Sequence, residues 1–274
     1  MTAERPATGG LSAAAVARGL RTRRLGRPCE VHATVGSTND AALDLLDAGA
    51  PHGTLVVADT QTAGRGRRGR VWHSPPGVAI HASLVLRGDR ALASPTALVA
   101  AVGLGIAEGL ERATSGAVSV GIKWPNDLWI GGRKVSGILV EARGFRPETP
   151  AFVAGFGVNV GHAATDFPDD LCDAATSLSI ETGRPHDRAA VLRDVLEALE
   201  PRIDDVLAGR ASDLHAAYRD RSVLLGRRVE LLDADRPLVG TVADLSATDG
   251  LLLRMDDGAH RHVPAEHVSD VRPV

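Results

Sequence analysis

The chain has 274 residues, 44% of them hydrophobic and 24% charged, which is enough apolar material for one large core and a small second one. Its 31 Lys and Arg against 34 Asp and Glu give a formal charge of −3, which argues against a polycationic nucleic-acid binder without excluding a local basic site. No apolar run approaches the roughly 20 residues of a membrane span. The first 28 residues intersperse alanine with arginine and lack a compact signal core, so a cytoplasmic protein with no membrane partner is expected. Cys29 and Cys172 match no C-x-x-C spacing, and neither a disulfide framework nor a zinc site is expected.

In chain order, residues 1–28 hold one short Ala-rich helical stretch. CEVHATV reads as a strand, and GSTNDAALDLLDAGA as a helix with Ser37 or Thr38 as N-cap, Asp40 in its first turn and Gly49 as its stop. TLVVADTQTA is a strand running into a loop, and VAIHASLVL a longer strand bounded by Pro-Pro-Gly and Arg-Gly-Asp. A helix is predicted from about Pro95 to Ala113. VSVGIKW, LWI, KVSGILVEAR and AFVAGFGVNV follow as four strands, joined by turns such as Gly131-Gly132 or by the polar loop GFRPETP. Short connections mean antiparallel pairing, so the expected class is α+β with a mixed, largely antiparallel sheet. Helices at about Asp187 to Leu207 and Ser212 to Arg219 close a domain spanning 29–221. From Ser222 the pattern changes to short strands, with hairpin signals at Asp249-Gly250 and Asp257-Gly258; residues 222–274 suit a small β-barrel.

Four segments carry polar chemistry. GRGRRGR, residues 64–70, formally satisfies G-x-G-x-x-G. It runs into Pro75, Pro76 and Gly77 instead of opening a helix, which rules out a dinucleotide fingerprint, and it lacks the ending of a Walker loop. What remains is four arginines on a glycine-rich backbone, suited to phosphate or carboxylate oxygens; taken alone it equally fits a solvated basic loop or an RNA contact. The only two lysines, Lys123 and Lys134, bracket KWPNDLWIGGRK, and the three tryptophans, Trp72, Trp124 and Trp129, fall in the same two segments. A compact ammonium suits a phosphate whose charge and geometry change during reaction better than a planar fork does. An ordinary surface role for each lysine and core packing for at least one tryptophan are the alternatives. GSTN, 36–39, sets two hydroxyls and an amide at a helix start, as a polar-head site or an ordinary cap. Asn159 in GFGVNVG must find hydrogen bonds within an apolar strand.

In order and spacing, GSTN, QTAGRGRRGRVW, KWPNDLWIGGRKVSGILVE and GFGVNV resemble the biotin protein ligases, from about Val31 onward. The resemblance implies a class II synthetase-like catalytic domain and a C-terminal SH3-like barrel. The reaction it implies is a two-step one: biotin and MgATP give biotinyl-5′-adenylate, and a lysine of the biotin carboxyl carrier protein then takes the acyl group. By motif, Ser37, Thr38, Asn39 and Gln61 would hold biotin's ureido and neighbouring groups, with Arg65, Gly66 and Arg67 on a loop closing over biotin and adenylate. Lys134 would be catalytic, with Arg67 sharing the phosphate charge. Lys123, Asn126 and Asp127 would line the nucleotide side, with Arg70 beside them and Trp72 near the adenine, and Gly137 and Asn159 would complete the pocket. No metal is assigned beyond the Mg²⁺ that ATP brings. Twenty-eight residues are too few for a winged helix, so no operator binding is expected; monomer and homodimer remain open. The alternatives are a lipoate or octanoyl ligase and an RNA-contacting module, the latter weakened by an aromatic content of 3%.

Overall fold

The computed structural model describes residues 10–88, 95–143, 150–210, 213–234 and 236–274. After the short helix α1 (Ala13–Ala17), β1 (Cys29–Val35) and β2 (Leu55–Gln61) lie parallel, because α2 (Thr38–Asp47) carries the chain back between them. The remaining strands of the sheet are β3 (Ala79–Arg87), β4 (Gly121–Lys123), β5 (Asp127–Ile130), β6 (Arg133–Ala142) and β7 (Ala151–Asn159). They pair antiparallel in a seven-stranded order β1-β2-β3-β7-β6-β5-β4. The mixed, largely antiparallel sheet expected from the sequence is therefore present.

Alternation along the strands divides the sheet's two faces. Ile80, Leu84 and Leu86 of β3, with Phe152, Ala154 and Phe156 of β7, enter the main core under α3 (Pro95–Ala113) and α5 (Arg188–Leu207). These two helices approach closely enough that a Cβ on Gly105 would stand 2.8 Å from Leu199 Cα, so glycine is what permits the contact. On the opposite face, Ala42, Leu43 and Leu46 of α2 cover Val56, Val85 and Val153. Further along β7, the alternate positions are Gly155 and Gly157, and there the face opens into a cavity.

Residues 10–28 belong to the main core: Leu11, Val16, Leu20 and Leu25 are buried in it. Glu200 of α5 anchors them by accepting the backbone N–H groups of Arg23, Arg24 and Leu25 at 2.8, 2.7 and 3.1 Å. Burial alone would raise the Glu200 pKa; those three donors and Arg23 outweigh it and hold the carboxyl below its usual value. Helices α4 (Leu178–Thr182), which the sequence did not signal, and α6 (Leu214–Asp220) complete the helical set. The expected start of the last helix at Ser212 and the loop at 144–149 lie outside the described residues.

The backbone of 221–223 pairs along β4, with Arg221 O accepting Ile122 N–H and Ile122 O accepting Val223 N–H, so the linker covers that sheet edge. Beyond it β8 (Arg228–Asp233), β9 (Arg236–Ser246), β10 (Gly250–Arg254), β11 (His260–Val263) and β12 (Val268–Pro273) form a five-stranded antiparallel sheet, β11-β10-β9-β8-β12. The eleven residues of β9 pair first with β8 and then with β10, as in a small barrel. Gly250 and Gly258, the second residues of the two Asp-Gly pairs, take φ of +123° and +83° at its hairpins. Among the described residues no helix is long and apolar enough to cross a membrane.

Candidate active site

The cavity at the N-terminal end of α2 has a volume of about 710 Å³. It is floored by β6 and β7, walled by the start of α2, by the Arg/Gly loop and by the 167–175 segment, and closed on one side by β12. Each residue singled out by sequence lines it: Ser37, Thr38, Asn39, Gln61, Arg65, Gly66, Arg67, Arg70, Trp72, Lys123, Asn126, Asp127, Lys134, Gly137 and Asn159.

At the α2 end, Ser37 is the N-cap residue, yet its side chain makes no capping hydrogen bond and is left to the cavity. Gln61 Oε1 accepts both the Thr38 backbone N–H, at 2.7 Å, and the Thr38 hydroxyl, at 3.0 Å. The Arg/Gly loop is a closed hairpin. Gly66 N–H donates to Arg70 O at 2.6 Å, Trp72 N–H donates to Gly64 O at 3.0 Å, and Arg68 (φ 56°) and Gly69 (φ 73°) make the tip. Its glycines thus serve a hairpin whose tip is a single 3₁₀ turn, Arg67–Gly69, and open no α-helix, as the sequence required. Arg65 forks onto Asp40 with two 2.6 Å bonds, which hold the Asp40 carboxyl below its usual pKa. Arg67 and Arg68 each donate at 2.8 Å to carbonyls of the turn between β11 and β12, Ala265 O and Glu266 O. Burial, with Arg68 beside it, lowers the Arg67 pKa from the ordinary guanidinium value, but a guanidinium keeps its charge at neutral pH.

Trp72 leaves the hairpin and lies on the floor. Gly137 and Gly157 are cross-strand partners, and a Cβ on Gly157 would stand 2.6 Å from the indole ring, so the ring needs both strands bare at this point. Lys134 sits beside it, its Nζ 5.5 Å from the ring centroid and 2.7 Å from Asp127 Oδ1. The backbone of Lys134 is clamped by 174–176, donating to Ala174 O and accepting from Thr176 N–H, both at 2.8 Å. Lys123 Nζ is 3.3 Å from Asp270 Oδ1 and 5.1 Å from the Trp129 centroid. Trp124 is buried in the core and, like Trp129, lines the cavity. The KWPND turn is tied down by Tyr218, whose hydroxyl donates to Pro125 O, and by Asn126 Nδ2, which donates to Ile138 O at 2.9 Å. Asn159 Nδ2 donates to Thr176 O at 3.0 Å.

Sequence reasoning did not find Asp270 or the 167–175 wall. Asp270 is an ordinary Asp in a distant domain, and only the tertiary fold brings it between Lys123, Arg70 and Arg272, at 3.3, 3.7 and 2.9 Å. Burial opposes its charge, but these cations outweigh that and lower its pKa.

Residues 31–159, which contain nearly the whole seven-stranded sheet and the Arg/Gly hairpin, match the model of the Biotin/lipoate A/B protein ligase family. The chain is 34% identical to the bifunctional ligase/repressor BirA of Bacillus subtilis, over 94% of this chain and 79% of that protein. It is also 34% identical to the biotin--[acetyl-CoA-carboxylase] ligase of Mycobacterium tuberculosis, over 86% and 88%. The structure superposes on the biotin protein ligase of Aquifex aeolicus, solved in complex with biotin and ATP, with a TM-score of 0.77 and 28% identity over 90% of this chain and 99% of that one. The chain belongs to the biotin protein ligase family.

Proposed function

We infer that the protein is an ATP-dependent biotin protein ligase: it activates biotin as biotinyl-5′-adenylate and transfers the acyl group to a lysine of a biotin carboxyl carrier protein, in the cytoplasm. The observation that carries this reading is one cavity lined together by the polar start of α2, by Lys134 beside Trp72 and Asp127, and by Lys123 and Arg70 beside Asp270. In the first step the biotin carboxylate attacks the α-phosphorus and pyrophosphate leaves; in the second an acceptor amine attacks the anhydride carbonyl and AMP leaves.

One anion attacking another needs cations where the phosphorus gains negative charge. Lys134 is placed for this, since Asp127 at 2.7 Å and the Trp72 face hold its ammonium over the floor. Ser37, Thr38 and Gln61 read the ureido group, with Asn39 behind them, its amide held by Leu139 O, Glu141 and Ser83, and Arg65, Gly66 and Arg67 close over the intermediate. Arg70, Lys123, Asn126, Asp127 and Asn159 serve the nucleotide, with Trp72 near the base and Gly137 keeping the floor low. Mg²⁺ would arrive with ATP. Among the carboxylates lining the cavity, Asp127 would be the one to hold it beside the phosphate oxygens and water, and it would neutralise polyphosphate charge. The hairpin excludes water from the anhydride.

Pyrophosphate release, measured with ATP and biotin, lipoate or octanoate in turn, tests the acid. Release is expected with biotin at well above ten times the rate with either other acid, in line with discrimination by a site built for polar groups. Equal or faster release with lipoate or octanoate would transfer the chain to the sister activity.

A further inference from the structure

Behind Thr38 and Asn39 runs a largely buried polar chain through Ser83 and Glu141, two residues to which no role has been given. Glu141, on the active-site face of β6, accepts from Asn39 Nδ2 at 2.6 Å, and the same nitrogen lies 3.3 Å from Leu139 O. Both of those neighbours only accept, so the Asn39 amide has one admissible orientation, with Oδ1 turned to Ser83. Ser83 is fully buried in β3, and its single hydroxyl proton lies between Asn39 Oδ1 at 2.6 Å and Thr38 Oγ1 at 2.8 Å. Because Asn39 Oδ1 cannot donate, the proton belongs to that shorter contact. Thr38 must then direct its own proton inward, to Ser83 or to Gln61 Oε1 at 3.0 Å. Its outward lone pair is left to face the cavity. Gly155 keeps the Asn39 amide seated, since a Cβ there would overlap it. Glu141 Oε2 also stands 3.7 Å from Arg65 Nη2 at the root of the hairpin.

We propose that Glu141 is a positioning and specificity residue: acting through Asn39 and Ser83, it fixes Thr38 as a hydrogen-bond acceptor towards the head of the substrate and thereby selects a head group that carries N–H donors. The inference rests on the biotin reading, whose cyclic urea supplies such donors. An anionic carboxylate imposes this polarity because it cannot donate. A glutamine of the same size offers both a donor and an acceptor and lets the whole chain turn over.

Glu141→Gln therefore raises the KM for biotin about tenfold, the effect of one misdirected buried hydrogen bond. The KM for ATP and kcat of adenylate formation stay within about twofold of wild type. Ser83→Ala has a similar effect, and the double variant is no worse than the more impaired single one, since both act through Asn39. Melting curves accompany each variant, and a readout without substrate makes the network testable by itself. In the wild type the Asn39 side-chain amide protons exchange slowly and form a distinct ¹⁵N resonance pair; in Glu141→Gln that protection is lost. Unchanged biotin KM and unchanged amide protection in a well-folded Glu141→Gln would overturn the proposal, as would additive losses in the double variant. If the wild type released no pyrophosphate with biotin, the functional reading would fail, and the amide exchange would still decide whether Glu141 orients Asn39.

Discussion

Lys134→Ala is expected to slow biotinyl-adenylate formation about 10² to 10³-fold, the usual consequence of removing one group aimed at developing charge. The same change alters the dissociation constant of biotin by only about threefold or less, because the ammonium matters chiefly once the pentavalent phosphorus forms. The geometry makes the site intolerant of near-substitutes. Nζ is held at 2.7 Å by Asp127, beside the Trp72 face, and the main chain is fixed on both sides by β5 and by 174–176. Lys134→Arg restores charge but not the compact point donor, and recovers little of the rate. Single-turnover adenylate formation, set against calorimetric biotin binding, separates the two effects. Equal losses in both would move Lys134 from the chemical step to simple binding.

Gly157→Val is expected to be nearly as damaging, although the position offers no functional group. The indole of Trp72 occupies the space where a Cβ would stand, 2.6 Å from its ring carbons, and the facing position on β6 is Gly137. Valine forces the ring off the floor, and the hairpin loses the anchor at its C-terminal end. With the ring and the hairpin's C-terminal end displaced from beside Lys134, adenylate formation falls on the order of 10²-fold, the usual consequence of misplacing groups by about 1 Å. Tryptophan fluorescence reports the displacement as increased quenching by iodide. A variant with wild-type quenching and rate would show that Trp72 does not depend on the bare floor.

The polar motifs were legible in the sequence because rare residue types concentrated in them. Two lysines among 31 cationic residues, and three tryptophans in the whole chain, mark the cavity before any fold is known. The strands were legible from alternation, and α3 from a long apolar pattern between Pro95 and Ala113. What could not be read was the meeting of distant parts. Nothing about Asp270 distinguishes it locally from other aspartates, and its place beside Lys123 follows from the linker at 221–223 pairing on β4. The local pattern left Ser37 as either a polar-head residue or an ordinary helix cap; the structure shows that its side chain makes no capping bond and lines the cavity. The wall at 167–175 has no regular pattern to detect, since it is built from turns and from backbone bonds to Lys134.

The central claim, that this one cavity joins biotin to the α-phosphorus and then hands the acyl group on, is tested most directly by a single turnover of the wild-type protein with excess ATP, Mg²⁺ and limiting biotin, analysed by mass spectrometry before and after addition of a carrier protein. The expected result is stoichiometric biotinyl-5′-adenylate on the protein, disappearing as one carrier lysine gains the biotinyl mass. A protein that retains unmodified biotin beside intact ATP, or an adenylate that never passes to the carrier, would contradict it.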